Sequence, residues 1–162
     1  MSPNPLPLQV AVCGDGDPDT PYTGVAAEAG RRIAEAGAVL LTGGLTGVML
    51  AATEAARAAG GLACAVLPAA NTASAIAPAQ VRIATGAGEA RNVILVRSAD
   101  AVVAIGGGYG TLSEIAIARK LGVPVFGFET WSASRPGDGE PLLEACPTAA
   151  DAVDRALAAA RG

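Results

Sequence analysis

Short apolar runs alternate with helical segments along almost the whole chain, and this alternation most limits the possible folds. We predict strands at residues 8–14, 38–42, 62–67, 80–84, 101–105 and 123–128, and helices at residues 21–36, 46–59, 89–99, 111–121 and 149–161. Strands that are apolar throughout and alternate with helices are typical of a parallel sheet covered on both faces. The sequence therefore predicts an α/β protein, with one Rossmann-like domain over residues 1–162 built on a doubly wound parallel sheet.

Charge and composition exclude several classes of function. The net charge is −4, so no overall positive field attracts a nucleic acid, and we expect no nucleic-acid partner. The chain has no histidine, which removes imidazole catalysis and most zinc sites, and we expect no metal site. Lys120 is the only lysine and lies well beyond the glycine-rich turn, which disfavours a pyridoxal-phosphate enzyme.

The location and assembly of the protein are predicted from its apolar content. The apolar runs are shorter than the roughly 20 residues of a spanning helix, so we expect no membrane segment. The N-terminus has no basic residue before its apolar stretch, and the three cysteines are scattered, which favours the cytoplasm. Hydrophobic residues make up 51% of the chain, and we expect helices buried between subunits of a homodimer or homotetramer.

A glycine-rich turn follows the predicted strand at residues 101–105. Gly106, Gly107, Gly108 and Gly110 surround Tyr109 and lead into a helix predicted to begin at Thr111. Glycines allow a phosphate to approach the backbone, and a helix N-terminus offers free N–H groups and a positive dipole end. We therefore predict that residues 106–111 bind a phosphate. A tight turn required only for packing is the alternative.

Other glycine turns give weaker signals for nucleotide binding. The turn that begins at Gly14 starts like GxGxxG but lacks the third glycine, and no acidic residue for a ribose accompanies Gly43 and Gly44. No GK[ST] sequence is present, which excludes a P-loop. We interpret Asp15, Asp17 and Asp19 as a polar turn rather than a metal site. Further candidate ligand-binding residues are Gly14, Gly43, Gly44 and Asn92.

Two charged residues are placed near the predicted phosphate site, and each has two interpretations. Thr111 and Glu114 match a capping box, in which the glutamate bonds back to the N-cap residue. The same carboxylate would lie one turn from a bound phosphate. Arg91 begins the preceding helix and is either a surface arginine or a phosphate clamp, since guanidinium binds phosphate bidentately.

Residues 107–114, GGYGTLSE, resemble the GGxGTxxE motif of the Lonely Guy (LOG) family, which is often mislabelled as lysine decarboxylases. Residues 42–49 resemble that family's second glycine turn, and the similarity spans roughly residues 10–125. LOG enzymes hydrolyse the N-glycosidic bond of nucleoside 5′-monophosphates. The resemblance implies a nucleotide-type ligand, with Arg91 and Glu114 as the catalytic pair of a phosphoribohydrolase.

Departures from the LOG pattern bring the chain nearer to a sister group that includes the molybdenum cofactor carrier proteins. Gly106 stands where LOG proteins have proline, and Asn92 follows Arg91 where they have lysine. Resemblance to the carriers implies a phosphorylated small molecule as partner. The molybdenum cofactor would then be a bound ligand, and the protein would require no cofactor for an activity of its own. Candidates for contacting a base or pterin are Tyr109, Met49 and Trp131.

Overall fold

Seven parallel strands form the centre of the structure, a computed structural model that describes residues 6–162. The strands are β1 (Gln9–Gly14), β2 (Val39–Thr42), β3 (Ala63–Leu67), β4 (Val81–Ala84), β5 (Ala101–Ile105), β6 (Val125–Phe128) and β7 (Glu144–Ala145). Their order across the sheet is β4-β3-β2-β1-β5-β6-β7, and each of the six pairings is parallel. The predicted doubly wound parallel sheet is confirmed.

Helices cover both faces of this sheet. They are α1 (Thr23–Glu35), α2 (Val48–Ala58), α3 (Arg91–Arg97), α4 (Tyr109–Leu121) and α5 (Ala149–Arg161), with short 3₁₀ turns at Thr72–Ser74 and Gly88–Ala90. Helices α1, α2 and α5 pack together on one face, and α3 and α4 pack on the other. Within residues 6–162 no helix is both long and apolar enough to cross a membrane.

Small side chains allow these layers to pack closely. A Cβ added at Gly30 of α1 would lie 2.0 Å from the carbonyl oxygen of Ala52 in α2, so the glycine permits the two helices to touch. Strands β3 and β5 are buried at every position, which explains why their sequences are apolar without alternation.

Two predicted helices differ from the structure at their ends, and one strand of the structure has no predicted counterpart. Helix α1 begins at Thr23, not at residue 21, because the Thr20 hydroxyl donates to Asp15 across the preceding loop. The helix predicted at residues 89–99 divides into the 3₁₀ turn Gly88–Ala90 and the shorter α3. Strand β7, of two residues, lies outside all of the predicted strand ranges, and it pairs with β6.

The connections after β1 and β5 leave in opposite directions. Helix α1 leads from β1 to β2, whereas α4 leads from β5 to β6 on the other side of the sheet. In open α/β sheets ligands bind in the crevice at this switch point, beyond the carboxyl ends of the strands. The fold therefore directs attention to the space between Gly14 and the turn after Ile105.

Candidate functional site

A cleft of about 300 Å³ lies at this switch point. Its lining residues come from β1 and the loop after it, from the starts of α2, α3 and α4, and from the 3₁₀ turn before α3. They are Gly14, Asp15, Gly16, Met49, Glu89, Arg91, Asn92, Gly108, Gly110, Thr111 and Glu114. The structure thus brings together several residues that the sequence analysis proposed separately.

The N-terminus of α4 faces this cleft with unpaired backbone donors. Gly108 is the N-cap residue in extended conformation, and no side chain caps the helix. Among residues 6–162 the backbone N–H groups of Tyr109, Gly110 and Thr111 have no acceptor. The predicted capping box is wrong, because α4 begins two residues before Thr111 and the Glu114 carboxylate is not used at the helix end. These N–H groups are free to bind an anion.

The four glycines of the turn have two different surroundings. A Cβ at Gly108 or Gly110 would meet nothing within 4 Å, and both residues line the cleft. Gly106 and Gly107 do not line it. They adopt positive φ angles of 56° and 100°, and a Cβ there would collide with the Tyr22 ring or with the Thr111 side chain. The turn therefore combines two glycines required by backbone geometry with two that leave space for a ligand.

Among residues 6–162 Arg91 is the only cation lining the cleft, and the residue is 8% exposed. Its guanidinium donates to the Val66 carbonyl oxygen at 3.1 Å and lies so close to Gly43 that a Cβ there would be 2.0 Å from Nη1. Burial lowers the pKa of Arg91, and the negative charges of Glu114 and Glu89 oppose this effect. Gly43 makes room for the arginine and Gly44 packs against Leu67, and neither of these two glycines, predicted as ligand-binding residues, lines the cleft.

Glu114 is buried in the cleft, with 7% of its surface exposed. Burial raises the pKa of its carboxyl from 4.5 to about 7, although Arg91 and the neighbouring Cys13 thiol act in the opposite direction. Cys13 is itself buried, and its pKa is raised well above the usual value by burial and by Glu114. The carboxyl can therefore gain or lose a proton near neutral pH at the edge of the predicted anion site.

Asn92 links the starts of α3 and α4. Its amide nitrogen donates to the Ser113 hydroxyl at 2.8 Å, and that hydroxyl donates to the Gly110 carbonyl oxygen at 2.7 Å. Because the serine hydrogen is committed to Gly110, Asn92 must present nitrogen to Ser113, which fixes the orientation of the amide. Its Oδ1 atom is left buried without a hydrogen-bond partner in the described chain, so the cleft wall has an unused acceptor.

The segment after β6 supports the glycine turn from outside. Thr130 donates to the Gly106 carbonyl oxygen, and the Trp131 indole donates to that of Gly108 at 3.0 Å. Tyr109 is 83% exposed and stacks at a tilt on Trp131, with ring centroids 5.6 Å apart. Both aromatic residues lie outside the cleft lining, while Met49 lies within it.

Sequence reasoning missed Asp15, Gly16 and Glu89 as cleft residues. Asp15 was interpreted as part of a polar turn, and this is confirmed, since its carboxylate accepts from the Asp17 N–H and the Thr20 hydroxyl. The same residue also lines the cleft. Glu89 lies two residues before Arg91. This short distance along the chain was the one sequence feature that could have indicated its place in the cleft.

Comparison with known proteins places this architecture in a family. Residues 7–152 match the model of the SLOG cluster4 family. The chain belongs to this family. An uncharacterized protein of Archaeoglobus fulgidus is 49% identical over 115 residues, which cover 71% of this chain and 76% of that protein.

Two solved structures resemble this SLOG cluster4 protein over nearly their full length. The molybdenum cofactor binding protein of Rippkaea orientalis has 32% identity and a TM-score of 0.84, covering 94% of this chain and 97% of that one. The molybdenum cofactor carrier protein of Chlamydomonas reinhardtii has 32% identity and a TM-score of 0.79, covering 97% and 100%. The predicted similarity to the group that includes these carriers is confirmed.

Proposed function

We propose that this protein binds the molybdenum cofactor, a phosphate-bearing pterin, in the switch-point cleft and holds it without chemical turnover. The observation that carries the proposal is the unpaired N-terminus of α4 opening into the same cleft as the buried Arg91. Both features favour the binding of a phosphate. The chain is also similar to a molybdenum cofactor binding protein and to a molybdenum cofactor carrier protein.

The chemistry of the cleft fits a phosphate monoester. The N–H groups at the start of α4 and the helix dipole favour an anion, and the guanidinium of Arg91 adds a full positive charge. Gly108 and Gly110 leave open space where side chains would otherwise stand. The volume of about 300 Å³ lies at the lower end of the range of small-molecule sites.

Arg91 and Glu114 are proposed as binding residues rather than as a catalytic pair. The LOG resemblance implied hydrolysis of a nucleoside 5′-monophosphate, but the similar structures are described as cofactor-binding and carrier proteins. A carrier needs the same anion site without bond cleavage. In this function Arg91 compensates the phosphate charge, and Glu114 adjusts the local charge by taking up a proton.

Co-elution with the cofactor tests this proposal. The protein is incubated anaerobically with molybdenum cofactor released from a donor enzyme and passed through a gel-filtration column, and the protein peak is assayed for molybdenum and for oxidised pterin. We expect both in a fixed ratio to the chain. A parallel panel of nucleoside 5′-monophosphates is assayed for free base. Release of base together with absence of cofactor from the protein peak would overturn the carrier proposal in favour of a hydrolase.

Two alanine variants separate the phosphate role of the turn from its structural role. Gly110→Ala places a methyl group in open space at the helix N-terminus, so we expect unchanged or slightly higher stability and at least about tenfold weaker binding of the cofactor. Gly107→Ala forces a positive φ and a collision with Thr111, and we expect it to be destabilised by about 2 kcal/mol. Chemical denaturation and cofactor titration measure the two effects. Equal binding by Gly110→Ala and wild type would contradict the assigned phosphate position.

We further propose that the protein assembles as a homodimer or homotetramer. The support is a set of exposed apolar side chains on the edge strand β4, on α3 and on the loop before them. They are Ile76, Val81, Ile83, Val93 and Ile94. Light scattering coupled to gel filtration should give two or four times the mass of one chain, and a monomer at micromolar concentration would refute this expectation.

A further inference from the structure

The cleft contains more negative charge than a simple phosphate site would have. Within residues 6–162 three carboxyl groups line it, from Asp15, Glu89 and Glu114, against the single guanidinium of Arg91. A phosphate monoester brings up to two further negative charges at neutral pH. The ligand must therefore offer something besides phosphate that these acceptors favour.

The three carboxyl groups differ in their hydrogen bonds and in their burial. Asp15 accepts from the Asp17 N–H at 3.1 Å and from the Thr20 hydroxyl at 2.8 Å, so it stabilises its own loop. Glu114 is buried beside Cys13. Glu89 is exposed on the 3₁₀ turn directly before Arg91, and within residues 6–162 its carboxylate forms no hydrogen bond or ion pair. It is the carboxylate available to a ligand.

A second, independent feature of the same wall also requires a donor. Asn92 is 4% exposed, and its Oδ1 has no partner in the described chain, while its amide nitrogen is fixed on Ser113. Buried acceptors of this kind are nearly always satisfied in native proteins. Glu89 and Asn92 both line the cleft, and each has a side-chain acceptor without a donor in the described chain.

We propose that Glu89 selects ligands that carry, in addition to a phosphate, a pair of adjacent hydrogen-bond donors. A carboxylate accepts such a pair through its two oxygens. Two chemical groups supply it: the N–H and amino edge of a 2-amino-4-oxo ring, found in both pterins and guanine, and the vicinal diol of a sugar. The inference rests on the proposed phosphate site and specifies which phosphate esters that site accepts.

Glu89→Gln is the informative variant because it should change two affinities in opposite directions. Glutamine keeps one acceptor oxygen but presents an N–H₂ group toward the ligand donors, so we expect at least about tenfold weaker binding of guanosine 5′-monophosphate. Removing a negative charge should leave the binding of inorganic phosphate unchanged or make it tighter. A loss of local structure would weaken both. Glu54→Gln, at an exposed position of α2 outside the cleft, is the matched control.

Calorimetric titrations with four probes identify the source of the donor pair. Guanosine 5′-monophosphate binding more tightly than adenosine 5′-monophosphate, with the difference lost in Glu89→Gln, supports the ring edge. Weaker binding of the 2′-deoxy form of guanosine 5′-monophosphate, again lost in the variant, supports the diol. If inorganic phosphate binds but neither difference appears, the inference is overturned and the phosphate site stands. If inorganic phosphate does not bind wild type, the proposed function itself is overturned.

Discussion

Glu114→Gln should raise the free energy of unfolding of the ligand-free protein by about 3 kcal/mol at pH 8, relative to wild type, and by much less near pH 4. In the folded protein burial raises the pKa of this carboxyl from 4.5 to about 7. Between these two values the unfolded chain has lost a proton that the folded chain retains, so wild-type stability falls as the pH rises. Glutamine imitates the protonated form and avoids this loss. Over the pH range in which only the folded chain keeps the proton, wild-type stability falls by about 1.4 kcal/mol per pH unit, which gives the expected difference of about 3 kcal/mol.

Urea denaturation at several pH values between 4 and 8 measures this effect. The stability of the variant minus that of wild type should grow between pH 4.5 and pH 7 and then remain constant. Glu89→Gln, which removes an exposed carboxylate from the same cleft, is the matched control. A difference that does not depend on pH would mean that Glu114 is ionised in the folded protein throughout this range, contrary to the burial that we describe.

Replacing Arg91 should have the largest effect on ligand binding. Arg91→Met removes the one cation that lines the cleft within residues 6–162 and leaves the carboxylates of Asp15 and Glu89 to repel a phosphate. A charge-assisted hydrogen bond contributes about 1.5–3 kcal/mol, and guanidinium can form two with one phosphate, so we expect about a 100-fold loss of affinity for the cofactor. Calorimetry with the cofactor and with inorganic phosphate provides the measurement.

Arg91→Lys distinguishes charge from geometry at this position. Lysine keeps the positive charge but lacks the planar fork and its fit against Gly43 and the Val66 carbonyl. We expect an intermediate loss, of about tenfold, for the same ligands. The double variant Arg91→Met with Glu114→Gln removes both buried charged groups, so Glu114 is not left without its cationic neighbour. It is the second variant to measure if Arg91→Met alone does not fold. Wild-type affinity in a folded Arg91→Met protein would show that the arginine only supports the structure.

The sheet could be predicted because its strands carry their own signal. Strands such as β3 and β5 are apolar on both faces, and glycines follow the ends of α1, α2 and α4, so the order of elements follows from local patterns. Strand β7 could not be found in this way. It has two exposed residues, and it is defined by its pairing with β6 and by the Cys146 N–H bonded to the Gly127 carbonyl.

The site was predictable in its location but less so in its details. The glycine-rich turn after a strand indicated the anion site. The sequence alone could not show which of the four glycines are required by backbone geometry and which leave space for a ligand. That division depends on Tyr22, which is distant in the chain, and on the actual start of α4. The TxxE pattern favoured a capping box because local spacing cannot show that Glu114 is buried beside Cys13. The position of Arg91 against Gly43 is likewise a tertiary contact between distant segments.

A crystal structure of the protein with the bound molybdenum cofactor would test the central claim most directly. The account predicts the cofactor phosphate within about 3 Å of the N–H groups of Tyr109, Gly110 and Thr111, with the Arg91 guanidinium against it. The pterin should lie along the same cleft, near Glu89. A phosphate bound elsewhere, for example at the start of α2, with the N-terminus of α4 left to water, would contradict the account.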